Sequence, residues 1–134
     1  MQIYKKILVT MDCSPVDKAI LDHVMHLAVQ NKANMILLHV VHSHTLDQDR
    51  TLRQKAEKIL SGYIESLQKN GVEASLLLRS GEPETEILAE IEKEDYDLVA
   101  MGIHGHNFVL DAILGSVSRS IKHKIRIPLL LLRG

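Results

Sequence analysis

Residues 101–121 read "MGIHGHNFVLDAILGSVSRSI" and set glycines at Gly102, Gly105 and Gly115, with Ser116 directly after the third and a helix-like segment following. Just upstream, "DLVAMG" (97–102) is a short aliphatic run. A strand that ends in glycines and passes into a helix start brings unpaired backbone N–H groups and a positive dipole end to one place, where an anion can approach. Glycines also serve as turn and cap residues and serines as ordinary N-caps, so a loop that merely needs small residues fits the same letters. His104 and His106 add a third reading, since paired imidazoles hold transition metals.

Outward from this stretch the chain repeats one pattern. "KILVTM" (6–11), "NMILLHVV" (34–41), "VEASLLLR" (72–79) and "IPLLLLR" (127–133) are further aliphatic runs, mostly unbroken rather than alternating, as strands covered on both faces require. Between them the period changes. Ile20, Val24, Leu27 and Ala28, then Leu52, Ala56, Ile59, Leu60, Tyr63, Ile64 and Leu67, follow helical spacing. "PETEILAEIEKE" (83–94) opens with proline at the first helical position and acids in the first turn, with Ile87, Leu88 and Ile91 on one side. A fourth helix is expected after Gly115. The polar stretch 42–58 reads as an irregular or mobile loop in its first part and as the start of the second helix in the rest. Strand and helix thus alternate four times before a closing strand, the pattern of an open α/β sheet with helices on both faces.

At 134 residues the chain is expected to form a single domain, residues 1–134, large enough to hold its own core. Sixteen basic and seventeen acidic residues leave a formal charge of -1, and there are three Tyr, one Phe and no Trp. That excludes a nucleic-acid surface built from basic stripes and stacking rings. Cys13, the single cysteine, has no intramolecular disulfide partner, and "MQIYKKILV" (1–9) lacks the apolar run and cleavage site of a signal peptide, so a cytoplasmic protein is expected. "IPLLLL" (127–132) is far shorter than the ~20 residues of a membrane-spanning helix, so no membrane partner is expected.

Ligands of open α/β sheets sit beyond the carboxyl ends of the strands where the order reverses. In a 3-2-1-4-5 order, strands one and four flank the reversal, which brings "TMDCSP" (10–15) beside "GIHGH" (102–106). Gly115 would let a phosphate approach the backbone, and the hydroxyls of Ser116 and Ser118 supply further donors. Asp12 suits the other end of a nucleotide, because a carboxylate accepts hydrogen bonds from ribose hydroxyls. On chemistry alone, phosphate, nucleotide and larger cofactor all remain open.

These residues resemble the ATP-binding branch of the universal stress proteins, whose signature G-x2-G-x9-G-[S/T] is met by Gly102, Gly105, Gly115 and Ser116. The resemblance covers essentially the whole chain: "ILVTMDCSP" is similar to the family's first strand and acidic turn, "ILLHVV" to its second strand, "SGEPETEIL" to its approach to the third helix, and "GSVSRSI" with "IPLLLL" to its end. It implies a Rossmann-like fold, an open five-stranded parallel sheet in 3-2-1-4-5 order with helices on both faces, that binds ATP. By motif position Asp12 would meet the ribose and adenine side and the backbone of Val40 the adenine, while Gly102, Gly105, Gly115, Ser116, Val117 and Ser118 would wrap the ribose and phosphates. Thr10, Met11, Met101 and His106 complete the expected set. Two departures stand out. Between the second and third glycines, where family members often carry Lys or Arg, this chain has "HNFVLDAIL", and Cys13 stands where glycine is frequent.

Mg²⁺ or Mn²⁺ is expected to bridge the phosphate oxygens, with no side chain assigned as a metal ligand. His39, His42 and His44 crowd the end of the second strand, but strand alternation splits pairs spaced by an odd number, such as His39 and His42, and no cysteine joins them. His23 and His26 read as surface residues of the first helix, and Cys13 as a small packed residue rather than a redox thiol. Catalysis, if any, is expected to be slow ATP hydrolysis: no P-loop G-x-x-x-x-G-K-[S/T] is present, and "HGH" is one residue short of the nucleotidyltransferase H-x-G-H and follows the wrong strand. A slow ATPase or nucleotidyl-transfer enzyme and a non-nucleotide dimeric interaction module are the competing classes. The aliphatic last strand falls at a sheet edge, a surface that proteins cover or pair, and a homodimer through Ile127–Arg133 is expected, as the resemblance also implies.

Overall fold

The structure, a computed structural model, describes residues 3–103 and 117–133. Five strands, β1 (Lys6–Thr10), β2 (Asn34–Val41), β3 (Ala74–Ser80), β4 (Leu98–Ile103) and β5 (Leu129–Arg133), form one sheet in the order β3-β2-β1-β4-β5, and every pairing is parallel. The helices α1 (Val16–Asn31), α2 (Leu46–Lys69) and α3 (Pro83–Lys93) follow the first three strands, and residues 117–124 form a further helix, α4, before β5. This is the Rossmann-like architecture expected from the alternating patterns.

Alternation along each strand explains why the runs are unbroken. Ile7 and Val9 point to one face, with Met35, Leu37, Leu98 and Ala100, and pack against Ile20, Val24, Ala56 and Leu60 of α1 and α2. Leu8 points to the other, with Leu38, Val99 and Met101, against Ile87 of α3 and Ile121 of α4. Both faces are apolar because both are covered, and the central positions Ile7, Leu8, Val9 and Val99 are fully buried.

Local chemistry fixes the ends. Pro83 occupies the first turn of α3, with Glu84 and Glu86 beside the helix start, as expected. The second helix begins earlier than its polar sequence suggests, leaving 42–45 as the connection. Thr45 caps it by accepting the Gln48 N–H at 3.0 Å, while the Gln48 carboxamide accepts the His44 N–H at 2.8 Å, a reciprocal arrangement that needs neither glycine nor apolar residues. At the opposite end of the strands, Asp97 accepts the backbone N–H groups of Lys5 and Lys6 at 2.8 and 3.0 Å and so ties the start of β4 to that of β1.

A polar network that the helical periods do not reveal locks α3 onto β3. Arg79 donates to Glu86 at 2.9 Å and to Glu90 at 3.1 Å, and Tyr96 donates its hydroxyl to the buried Glu90 carboxylate at 2.6 Å. Burial, then the hydrogen bond to Glu90, holds the Tyr96 phenol well above its ordinary range, so it stays a donor. On the same face Glu84 of α3 accepts from Ser120 and from Lys124 of α4.

Candidate functional site

Where β1 and β4 lie side by side, the chain leaves β1 toward β2 on one side and β4 toward β5 on the other, and a cleft of about 150 Å³ opens at the carboxyl end of the sheet. Thr10, Met11 and Asp12 from the end of β1, Val40 from β2, Met101 and Gly102 from β4 and Val117 from α4 all line it. Ser118 follows Val117 in α4 without lining the cleft. Gly105, His106, Gly115 and Ser116 lie outside the described residues, as does His104.

The cleft has an apolar wall from Leu38, Val40, Ile87, Met101 and Val117, and an acidic end at Asp12. Asp12 stands exposed at the rim and accepts the Ser14 N–H at 3.0 Å. Beneath it Asp17, in the first turn of α1, is buried with 1% of its surface exposed. Its carboxylate reaches back to accept the N–H of Cys13 at 2.8 Å and of Asp12 at 3.2 Å. Burial and the neighbouring Asp12 carboxylate push the Asp17 carboxyl up to about 7, against the pull of those two amides.

Cys13 adopts φ 64, the left-handed region in which glycine is at ease, and this is what a cysteine in the usual glycine position entails. Burial, then Asp17 and Asp12, raise its thiol to about 11, so it stays protonated at neutral pH and is a packed small residue rather than an activated nucleophile. His39 does not face a metal partner: its Nδ1 lies 2.8 Å from the Met11 carbonyl oxygen, bracing β2 against the end of β1. His42 sits 3.3 Å from the Gly81 carbonyl and 3.6 Å from Glu82, with the His44 ring edge-on at 5.6 Å. No group of three or more metal-ligating side chains occurs among the described residues. His23 and His26 are exposed on α1.

Gly102 proves to serve a purpose besides access. A Cβ there would overlap the Cδ1 methyl of Ile20, so the missing side chain is what lets α1 close on β4 at the edge of the cleft. Asp17, Ile20 and Pro83 also line the cleft, and the sequence marks none of them as a site residue. An acid in the first turn of a helix ordinarily reads as a complement to the dipole, which hides the backward reach of Asp17.

An all-parallel sheet with a cleft at its point of reversal defines an open, doubly wound α/β fold, whose ligands bind at that point. The particular family follows from comparison: the model of the universal stress protein family matches residues 3–133, and the chain belongs to that family. It is 28% identical over 148 residues to the universal stress protein YxiE of Bacillus subtilis, covering 98% of this chain and 100% of the relative. Among solved structures, that of MJ0577, a universal stress protein of Methanocaldococcus jannaschii, superposes with a TM-score of 0.85 at 26% identity over 98% of this chain and 97% of that one. A universal stress protein from Archaeoglobus fulgidus, solved in complex with dAMP, shares the fold with a TM-score of 0.73 at 22% identity, covering 96% and 98% of the two chains.

Proposed function

We propose that this chain binds an adenine nucleotide in the cleft, ATP foremost, and that occupancy rather than fast turnover is the signal it carries in a stress response. The observation that carries the reading is the cleft's position and make-up: it lies where the parallel sheet reverses, with an apolar slot between Val40 and Met101 and the Asp12 carboxylate at its rim. A base fits the apolar wall and ribose hydroxyls fit a carboxylate acceptor. The dAMP held by the A. fulgidus relative agrees with this class of ligand.

In this reading Gly105, His106, Gly115, Ser116 and Ser118 receive the phosphates, and Mg²⁺ or Mn²⁺ bridges the phosphate oxygens. The chain acts as one domain in the cytoplasm and as a homodimer through Ile127–Arg133; no described helix is long and apolar enough to cross a membrane. Among the described residues no lysine lines the cleft, so turnover above about one per second is not expected.

Acid release of ligand from the purified protein, followed by chromatographic identification, tests the reading directly, alongside calorimetry with ATP and adenosine. Asp12→Ala should weaken both ligands, whereas Ser116→Ala should weaken ATP by about tenfold to a hundredfold and spare adenosine. Protein that carries no adenine nucleotide and gives no heat with either ligand refutes the proposal and leaves the interaction module.

A further inference from the structure

The feature that the nucleotide reading leaves unused is the buried acid beneath Asp12. Asp17 is 1% exposed, lines the cleft together with Asp12, and accepts the backbone N–H of Asp12 itself at 3.2 Å as well as that of Cys13 at 2.8 Å. Two carboxyls held in one turn, with one of them out of water, cannot both ionise cheaply, so the pair favours keeping one proton. Here one member faces the cleft rim and the other is sealed under it.

We propose that Asp12 and Asp17 share a single proton and that this proton tunes the ribose end of the cleft, so that nucleoside affinity falls as pH rises. The proposal rests on the adenine-nucleotide reading of the cleft. In the singly protonated pair, Asp17 donates to Asp12, and the shared charge stays on a carboxylate that also accepts the Ser14 N–H. A carboxylate has about four acceptor positions, so a ribose hydroxyl can be added to these partners. When the proton leaves, two negative charges lie together at the cleft floor, and a ligand that covers them removes the water that solvates the second charge. The ligand therefore favours the protonated pair, and by linkage its binding draws a proton from solvent.

Among the described residues, the charged and titratable neighbours of the pair are few. From the turn itself the Cys13 thiol adjoins the pair, held neutral by burial and then by the same carboxylates. From α2, Tyr63 feels Asp17, with Asp22 of α1 acting on it in turn, and Lys55 lines a neighbouring hollow with Asp12, Cys13 and His42 and acts on Cys13. From β2, His39 has its Nδ1 engaged by the Met11 carbonyl. The parts of α3, β4 and α4 that line the cleft offer Pro83, Ile87, Met101, Gly102 and Val117, none of which titrates. Among the described residues that line the cleft, Asp12 and Asp17 are the carboxylic acids.

Adenosine is the probe of choice, because it has no phosphate whose second ionisation, near pH ~6, would titrate in the same window. Calorimetry from pH 5.5 to 8.5 in buffers of different ionisation enthalpy reads both affinity and proton uptake. Wild type should bind about tenfold more weakly at the alkaline end, for a ligand that raises the pair's pKa by about one unit, and should take up a fraction of a proton near pH 7. Asp17→Asn keeps an acceptor for the Cys13 amide and removes the titration, so its affinity should not vary across this window. A wild-type affinity that is flat, with no proton uptake, overturns the shared proton and leaves the nucleotide reading standing. Persistence of the full pH dependence in Asp17→Asn assigns it to another group and also overturns it. Failure of adenosine and ATP to bind at any pH removes both readings. Carboxyl-carbon NMR of the wild-type protein keeps the test open should the variant not fold: an Asp17 carboxyl that titrates in the ordinary range near ~4 refutes the proposal.

Discussion

Adding one methyl group at Gly102 tests the packing on which the cleft depends. Gly102 lies inside β4 and needs no unusual backbone angle, so alanine is compatible with its conformation, and the obstacle is space alone. That space is filled by the Ile20 Cδ1 methyl, and Ile20 is 2% exposed. Gly102→Ala should therefore act as an overpacking change that costs about 1–3 kcal/mol. Part of this is offset by the lower unfolded-state entropy of alanine, worth about 0.4–1 kcal/mol. Ile20→Val removes the very methyl that is in the way and by itself should cost about 0.5–1.5 kcal/mol.

If the two groups compete for one volume, the double variant should be no less stable than Ile20→Val alone, which amounts to a favourable coupling of about 1–2 kcal/mol. Urea unfolding of the four proteins, read by circular dichroism, supplies the cycle. Additivity within about 0.5 kcal/mol would refute the argument and return Gly102 to a role in ligand access alone. Nucleotide affinity gives a second reading. Because Ile20 and Gly102 both line the cleft, the single Gly102 variant should also bind more weakly, and the double variant should recover.

Stability should fall as pH rises from about 4 to about 7, because the Asp17 carboxyl is raised in the folded protein from 3.8 and the unfolded chain ionises it freely; its stabilising proton is present below that window and lost through it. Urea midpoints of Asp17→Asn should lack this slope. Tyr96→Phe removes the donor to the buried Glu90 carboxylate and should cost about 1.5–3 kcal/mol in the same unfolding assay, since a charged acceptor is left short of a partner. For the dimer, Leu131→Arg is the informative change: Leu131 is 39% exposed, whereas Leu129, Leu130 and Leu132 pack against the protein's own core. Light scattering should report a monomer for Leu131→Arg with unchanged circular dichroism, and a wild type that is already monomeric at micromolar concentration would end the dimer reading.

Elements whose identity is written in a local period could be read from the sequence. The five aliphatic runs became the five strands, and Pro83 with its following acids marked the start of α3. The order of the strands is not local information, but the placement of Asp12 beside Gly102 followed once the reversal was put between β1 and β4, and the cleft contains both. Contacts between elements were not legible. Arg79 sits in a strand that reads as aliphatic and Glu90 on a helix face that reads as polar, and only their meeting across β3 and α3 makes a network. The onset of α2 at Leu46 was obscured because its signal is a side-chain exchange between Thr45 and Gln48 rather than an apolar stripe.

The first turn of α1 is where fold and site become the same structure. Asp17 and Ile20 are three residues apart and so share a helix face. From that face Asp17 holds the turn after β1 by two of its amides, and Ile20 fills the gap left by Gly102 on β4. One helical turn thereby seats α1 against the ends of the two paired strands beyond which the cleft opens. A ligand lodged there presses on the same residues that dock the helix, so binding and the seating of α1 are linked by shared contacts rather than by any distant relay. This also accounts for the tolerance of a left-handed cysteine at position 13. A strained φ persists only where surrounding bonds over-determine it, and here the Asp17 carboxylate grips the Cys13 amide from below while Asp12 closes the turn on Ser14 from above.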